Sequence, residues 1–112
     1  MSAEREPECC LALSTFENAA AARKTGRQLV EEKLVACVNI LPSMQSVYRW
    51  KGAVAEGDEV LAIFKLTTQR YSEFEARLRE LHPYELPEII RFEIERGLAE
   101  YLRWIGESCA AG

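Results

Sequence analysis

At 112 residues the chain is long enough for one hydrophobic core and too short for two. Hydrophobic residues make up 48% and charged residues 29%, which suits a globular protein and excludes a disordered or collagen-like one. No apolar run reaches spanning length, no charged-then-apolar leader opens the chain, and a net charge of −4 gives no general attraction to nucleic acid. The expectation is a cytoplasmic protein without membrane or nucleic-acid partners. Residues 1–112 read as a single domain, with 1–7 and 108–112 as flexible ends.

In chain order, Cys9-Cys10-Leu11-Ala12-Leu13 is short, apolar and bounded, the mark of a strand covered on at least one face. Ser14-Thr15-Phe16-Glu17 has the form of a capping box, so a helix is expected to start there. Ala19, Ala22, Gly26, Leu29 and Val30 then recur at helical spacing. Their small size points to close approach to a sheet, although Gly26 costs up to about 1 kcal/mol of helix propensity. Residues 34–41 read as a second strand interrupted or bent at Pro42-Ser43. Ser46-Val47-Tyr48-Arg49-Trp50 alternates, Lys51-Gly52 supplies a turn, Ala53-Val54 resumes before a break at Glu56-Gly57-Asp58, and residues 59–67 form a third strand. Together these make a long hairpin projecting beyond the sheet. A second helix over 69–81 carries Tyr71, Phe74, Leu78 and Leu81 on one stripe. Ile90, Phe92 and Ile94 alternate with charged residues as a half-buried strand, and Leu98, Tyr101, Leu102 and Ile105 mark a closing helix.

Strand, helix, strand, strand, helix, strand, helix is an α+β order. It matches the ferredoxin-like βαββαβ arrangement, an antiparallel sheet with helices on one face, here with an extended hairpin and a C-terminal helix. The other face is expected to carry Val, Cys, Tyr and Trp side chains that a chain of this size cannot cover with its own helices. That face and the unpaired hairpin edges predict a symmetric oligomer.

The four cysteines offer no C-x-x-C pair, and there is one histidine, so the usual structural zinc patterns are absent and free thiols are expected. No nucleophile has a recognisable histidine partner and no glycine-rich phosphate loop is present, so an enzyme is not expected. The most informative stretch is His82-Pro83-Tyr84-Glu85-Leu86-Pro87-Glu88, between the second helix and the last strand. Each proline fixes its own φ and forces the preceding residue into an extended conformation, so the loop is stiff. It reads either as a device presenting side chains at a site or as a rigid turn covering a sheet edge.

From residue 11 to 105 the chain resembles the CutA family, the divalent-ion tolerance proteins. The resemblance rests on Leu34-Val35-Ala36-Cys37-Val38-Asn39-Ile40, Tyr48-Arg49-Trp50-Lys51-Gly52, Glu59-Val60 with Lys65 and Thr67, the His82 to Glu88 loop with Ile89, and Tyr101-Leu102-Arg103-Trp104-Ile105. It implies a homotrimer similar in architecture to the signalling protein PII, with a link to copper and other divalent ions. In copper-binding members the ligands are attributed to a cysteine ending the first strand and to adjacent histidines before Pro-Tyr. Those positions are Ser14 and Leu81 here, so only His82 remains. Cys10 lies about 13 Å from the Ser14 position at ~3.3 Å per residue and is no substitute.

The reading is therefore a trimeric protein of divalent-ion, notably copper, tolerance that acts by binding. No cofactor is obligatory. Cys37, His82 and Glu88 are the candidate metal ligands, and Asn39, Lys65, Tyr84, Glu88 and Trp50 the candidate lining of an inter-subunit crevice suited to a small anion. The alternative is a PII-like sensor of a small metabolite in that crevice.

Overall fold

The structure, a computed structural model, describes residues 6–110. The elements follow the expected order: β1 (Cys9–Phe16), α1 (Ala19–Glu31), β2 (Cys37–Trp50), β3 (Ala53–Thr67), a 3-10 turn (Thr68–Arg70), α2 (Tyr71–Leu81), β4 (Ile90–Ile94) and α3 (Ala99–Ser108). The sheet is antiparallel throughout in the order β2-β3-β1-β4, which is the split βαβ arrangement.

Alternation along the two central strands divides buried from open. Ala12 and Phe16 of β1 and Ala62, Phe64 and Leu66 of β3 are fully buried against Leu29 of α1 and Phe74 and Leu78 of α2. Phe64 meets Phe74 edge-on at 5.1 Å. The small-residue stripe of α1 does what its size implies: a Cβ on Gly26 would sit 2.6 Å from Val38 Cγ1, so the helix backbone rests directly on a side chain of the sheet. Glu32 of the α1 C-terminus takes a bidentate pair of 2.9 Å bonds from Arg77, tying α1 to α2.

The capping box at Ser14 does not form. Ser14 lies in β1 opposite Ala62, because a ladder partner is available as far as Phe16 and the strand runs on to use it. Asn18 caps α1 instead, in extended conformation, its side-chain oxygen accepting from Ala21 N–H at 2.8 Å. At the other end Lys33 takes a left-handed φ of 62°, and Leu34 N–H returns to Leu29 O at 3.0 Å.

The second and third strands are each longer than expected. Pro42-Ser43 bends β2 without ending it: the register shifts between Leu41 and Met44, and Ser43 has φ 53°. Lys51 and Gly52, at φ 51° and 83°, close a two-residue turn of the kind whose twist matches its strands. Pairing of β1 with β3 ends at Phe16 and Val60, so residues 44–59 stand out as a two-stranded arm. The molecule measures 58 × 25 × 23 Å along its principal axes.

The side of the sheet away from α1 and α2 is more aliphatic than expected. Leu11, Leu13, Leu61, Ile63, Ile90 and Phe92 make up most of it, and the expected Cys, Tyr and Trp join them through Cys37 opposite Lys65 and Tyr48 and Trp50 opposite Ala55 and Ala53. Ile90 and Phe92 remain 44% and 52% exposed, so β4 turns its apolar alternation away from those helices. Its other side carries the Arg91–Glu93 ion pair, with the Arg91 guanidinium over Tyr71 of α2 at 4.9 Å. α3 lies on the open side, at the end marked by Cys9 and Lys65, so the helices are not all on one face. Parts of the ends expected to be flexible, 1–7 and 108–112, are packed. Pro7 packs on Gly106, Ser108 closes α3 and Cys109 is buried, while residues 1–5 and 111–112 lie outside the described residues.

Candidate functional site

The loop after α2 is held by its histidine. The backbone N–H of His82 donates to Leu78 O at 2.8 Å and ends α2, and the residue is extended, as one before proline must be. Its ring turns under β1. Nε2 lies 2.8 Å from Thr15 O, and Nδ1 accepts the Tyr84 N–H at 3.1 Å. Only the neutral ring protonated at Nε2 serves both partners. Phe16 stacks on one side at 4.3 Å, and Tyr84 tilts against the ring at 4.7 Å. Burial pushes the His82 pKa below its ordinary 6.5, against weaker upward pulls from the Thr15 carbonyl and Glu59.

That anchor fixes Tyr84, whose hydroxyl donates to Glu59 Oε2 of β3 at 2.8 Å. Burial, and then the bond to Glu59, raise the Tyr84 pKa well above its ordinary value. Between loop and arm runs a groove of about 910 Å³. Thr15, Glu59, Leu61 and Tyr84 contribute to it, with Tyr48 and Trp50 from β2 and Glu85 and Glu88 from the loop. Lys51, at the arm's tip, reaches Glu85 at 3.8 Å across the opening.

Of the residues expected in a crevice, Tyr84, Glu88 and Trp50 do share this groove. Asn39 and Lys65 do not. Asn39 is paired with Ile63, one row beyond Leu61. Lys65 is six residues along β3 from Glu59, about 20 Å at ~3.3 Å per residue, and donates to the Tyr101 hydroxyl at 3.4 Å beside α3. Cys37 sits opposite Lys65, its sulfur 4.0 Å from the same hydroxyl. Glu59, Thr15 and Tyr48 were not among the expected lining. The register of the arm against the loop brings them in, and one sequence carries no direct sign of it.

The metal set Cys37, His82 and Glu88 does not assemble within the chain. Cys37 belongs to the open side, His82 stacks on Phe16 of the helix-facing side, and both His82 nitrogens have main-chain partners. The Ser14 hydroxyl is buried without a partner, and among the described residues no three of His, Cys, Asp and Glu converge on one point. These residues do not fit a resident metal ion.

Residues 10–108 match the family described as CutA1 divalent ion tolerance protein. The chain is 44% identical over 96 residues to the divalent-cation tolerance protein CutA of Thermus thermophilus, a match covering 86% of this chain and 93% of that protein. The solved Cut A1 structure from that organism superposes with a TM-score of 0.87 at 41% identity, covering 91% and 99% of the two chains. A structure described as the periplasmic divalent cation tolerance protein CutA from Archaeoglobus fulgidus also superposes with a TM-score of 0.87, at 31% identity and the same coverages. Among the described residues no helix is long and apolar enough to cross a membrane. The names of these relatives refer to ion tolerance and not to a reaction. Agreement in sequence and in backbone path over nearly all of its length makes this chain a member of the CutA1 divalent ion tolerance family.

Proposed function

We propose that this chain serves divalent-ion tolerance as a homotrimer that binds and does not catalyse, and that its direct ligand is a small molecule held in the groove between arm and loop. One observation carries the reading: Thr15 and Leu61 belong both to the groove and to the apolar side of the sheet that α1 and α2 leave open. A neighbouring subunit laid on that side would wall the groove and bury Ile63 and Phe92 together. Copper then acts through the groove's ligand and not through an ion bound at His82. The only imidazole in the chain is committed to Thr15 and Tyr84, so it is not available as a general base in the groove. The four free cysteines support a reducing, cytoplasmic setting.

Sedimentation at micromolar concentration is expected to return three times the chain mass. Calorimetric titration with copper(II) and with zinc is expected to give the same weak heats for wild type, Cys37→Ser and Glu88→Gln. A folded monomer would sink the assembly. Tight, stoichiometric copper binding abolished in either variant would restore direct coordination.

A further inference from the structure

The groove's charge argues against the small anion expected from Lys65 and Asn39, neither of which lines it. Glu59, Glu85 and Glu88 face it with Arg49 as the single basic residue of the lining. Glu88 has no ion-pair partner among the described residues. The chain's own Lys51 shows what such walls hold: its ammonium lies 5.6 Å from the centre of the Trp50 ring and 3.8 Å from Glu85 Oε1. An aromatic face plus a carboxylate is the combination that recognises an alkylammonium group. The carboxylates are too far apart to converge on one bare ion, as the lack of any three-ligand cluster among the described residues shows. Spaced carboxylates in an open groove suit a long cation with spaced charges. A volume of about 910 Å³ lies within the ~300–1,000 Å³ usual for small-molecule sites.

Resting on the crevice reading above, we infer that the groove takes a small linear polyamine. One ammonium replaces that of Lys51 between Trp50 and Glu85, and a second extends toward Glu88 and Glu59. Lys51 is then an internal competitor that the ligand displaces. The turn it sits in leaves its side chain 69% exposed and free to swing away.

The test is calorimetry with spermidine at about 150 mM salt, where exposed charges more than ~8 Å apart are largely screened. Saturable binding at one molecule per chain is expected. Glu88→Gln weakens it about tenfold, the loss of one charge-assisted contact, and Trp50→Leu weakens it similarly. Lys51→Met tightens it several-fold, whereas Lys24→Met, which removes the same charge from the exposed side of α1, leaves it unchanged. Equal affinity for wild type and Glu88→Gln, equal gain from Lys51→Met and Lys24→Met, or displacement of spermidine by magnesium chloride at matched ionic strength would each overturn the inference. Sedimentation of the same samples separates the two readings. A trimer that ignores spermidine removes only the ligand, while a monomer removes the assembly as well.

Discussion

His82 spends both ring nitrogens on main-chain partners, and that decides which protonation state the fold accepts. A second ring proton would have to sit on Nδ1, where the Tyr84 N–H already points. Because burial lowers the native pKa below 6.5, the unfolded chain takes up a proton near pH 6.5 that the native ring takes up only at lower pH. Stability is therefore full above about pH 6.5 and is lost as pH falls from there through the native value. Thermal melts between about pH 7 and 5.5 are expected to show this slope in wild type and to lack it in His82→Gln. That variant should also be less stable at pH 7 by ~1–3 kcal/mol, having orphaned buried groups. A pH-independent wild-type melt over that range would contradict the account. From the sequence, the double proline gave the stiffness of the loop and the extended form of His82. The ring's partner, Thr15, is 67 residues away, and only tertiary packing brings the two together. The same blindness explains the misplaced helix start: Ser14 and Asn18 both make good caps, and whether β3 offers Ser14 a ladder partner is not a local property.

At the scale of elements, the side of the sheet that α3 takes was not legible, whereas the order and type of the helices were, because their apolar periods were clear. Gly26 is the sharpest instance. Adding its missing Cβ gains up to about 1 kcal/mol of helix propensity but drives it onto Val38, so Gly26→Ala is expected to destabilise by about 1–3 kcal/mol in denaturant titrations. Pairing it with Val38→Ala should recover part of that loss. Additive losses in the double variant would mean the two residues do not meet. The hairpin was legible in outline and wrong in detail. Pro42-Ser43 and the Glu56-Gly57-Asp58 stretch read as breaks, yet a bulge absorbs the first and the second stays in the ladder opposite Val47, Ser46 and Gln45. Turn-forming composition marks a place where a strand is able to end, and pairing with a neighbour decides whether it does.

For the whole molecule, the sequence called for a partner because of an uncovered side of the sheet, and the structure leaves that side apolar. The Cys, Tyr and Trp that the sequence pointed to lie there as Cys37, Tyr48 and Trp50 of β2, but most of the open side is Leu, Ile and Phe of β1, β3 and β4. Only the register assigns each alternation to a side, and a one-residue slip would reverse it. Phe92, half exposed in the single chain, is the test position. Phe92→Glu is expected to leave the fold of the chain within about 0.5 kcal/mol while breaking the proposed trimer. Sedimentation should then give a single-chain mass, with the circular dichroism spectrum retained. A trimer that survives the substitution would place its contact elsewhere.

One wall of the groove is the two-stranded arm, and beyond Val60 no third strand among the described residues pairs with it. A lone pair of strands is barely stable in water. On the proposed trimer, the pocket would borrow its shape from the neighbour that props that wall upright, and occupancy at micromolar dilution would become a function of how crowded the protein is with copies of itself. Such a receptor would report on its own abundance as well as on its ligand.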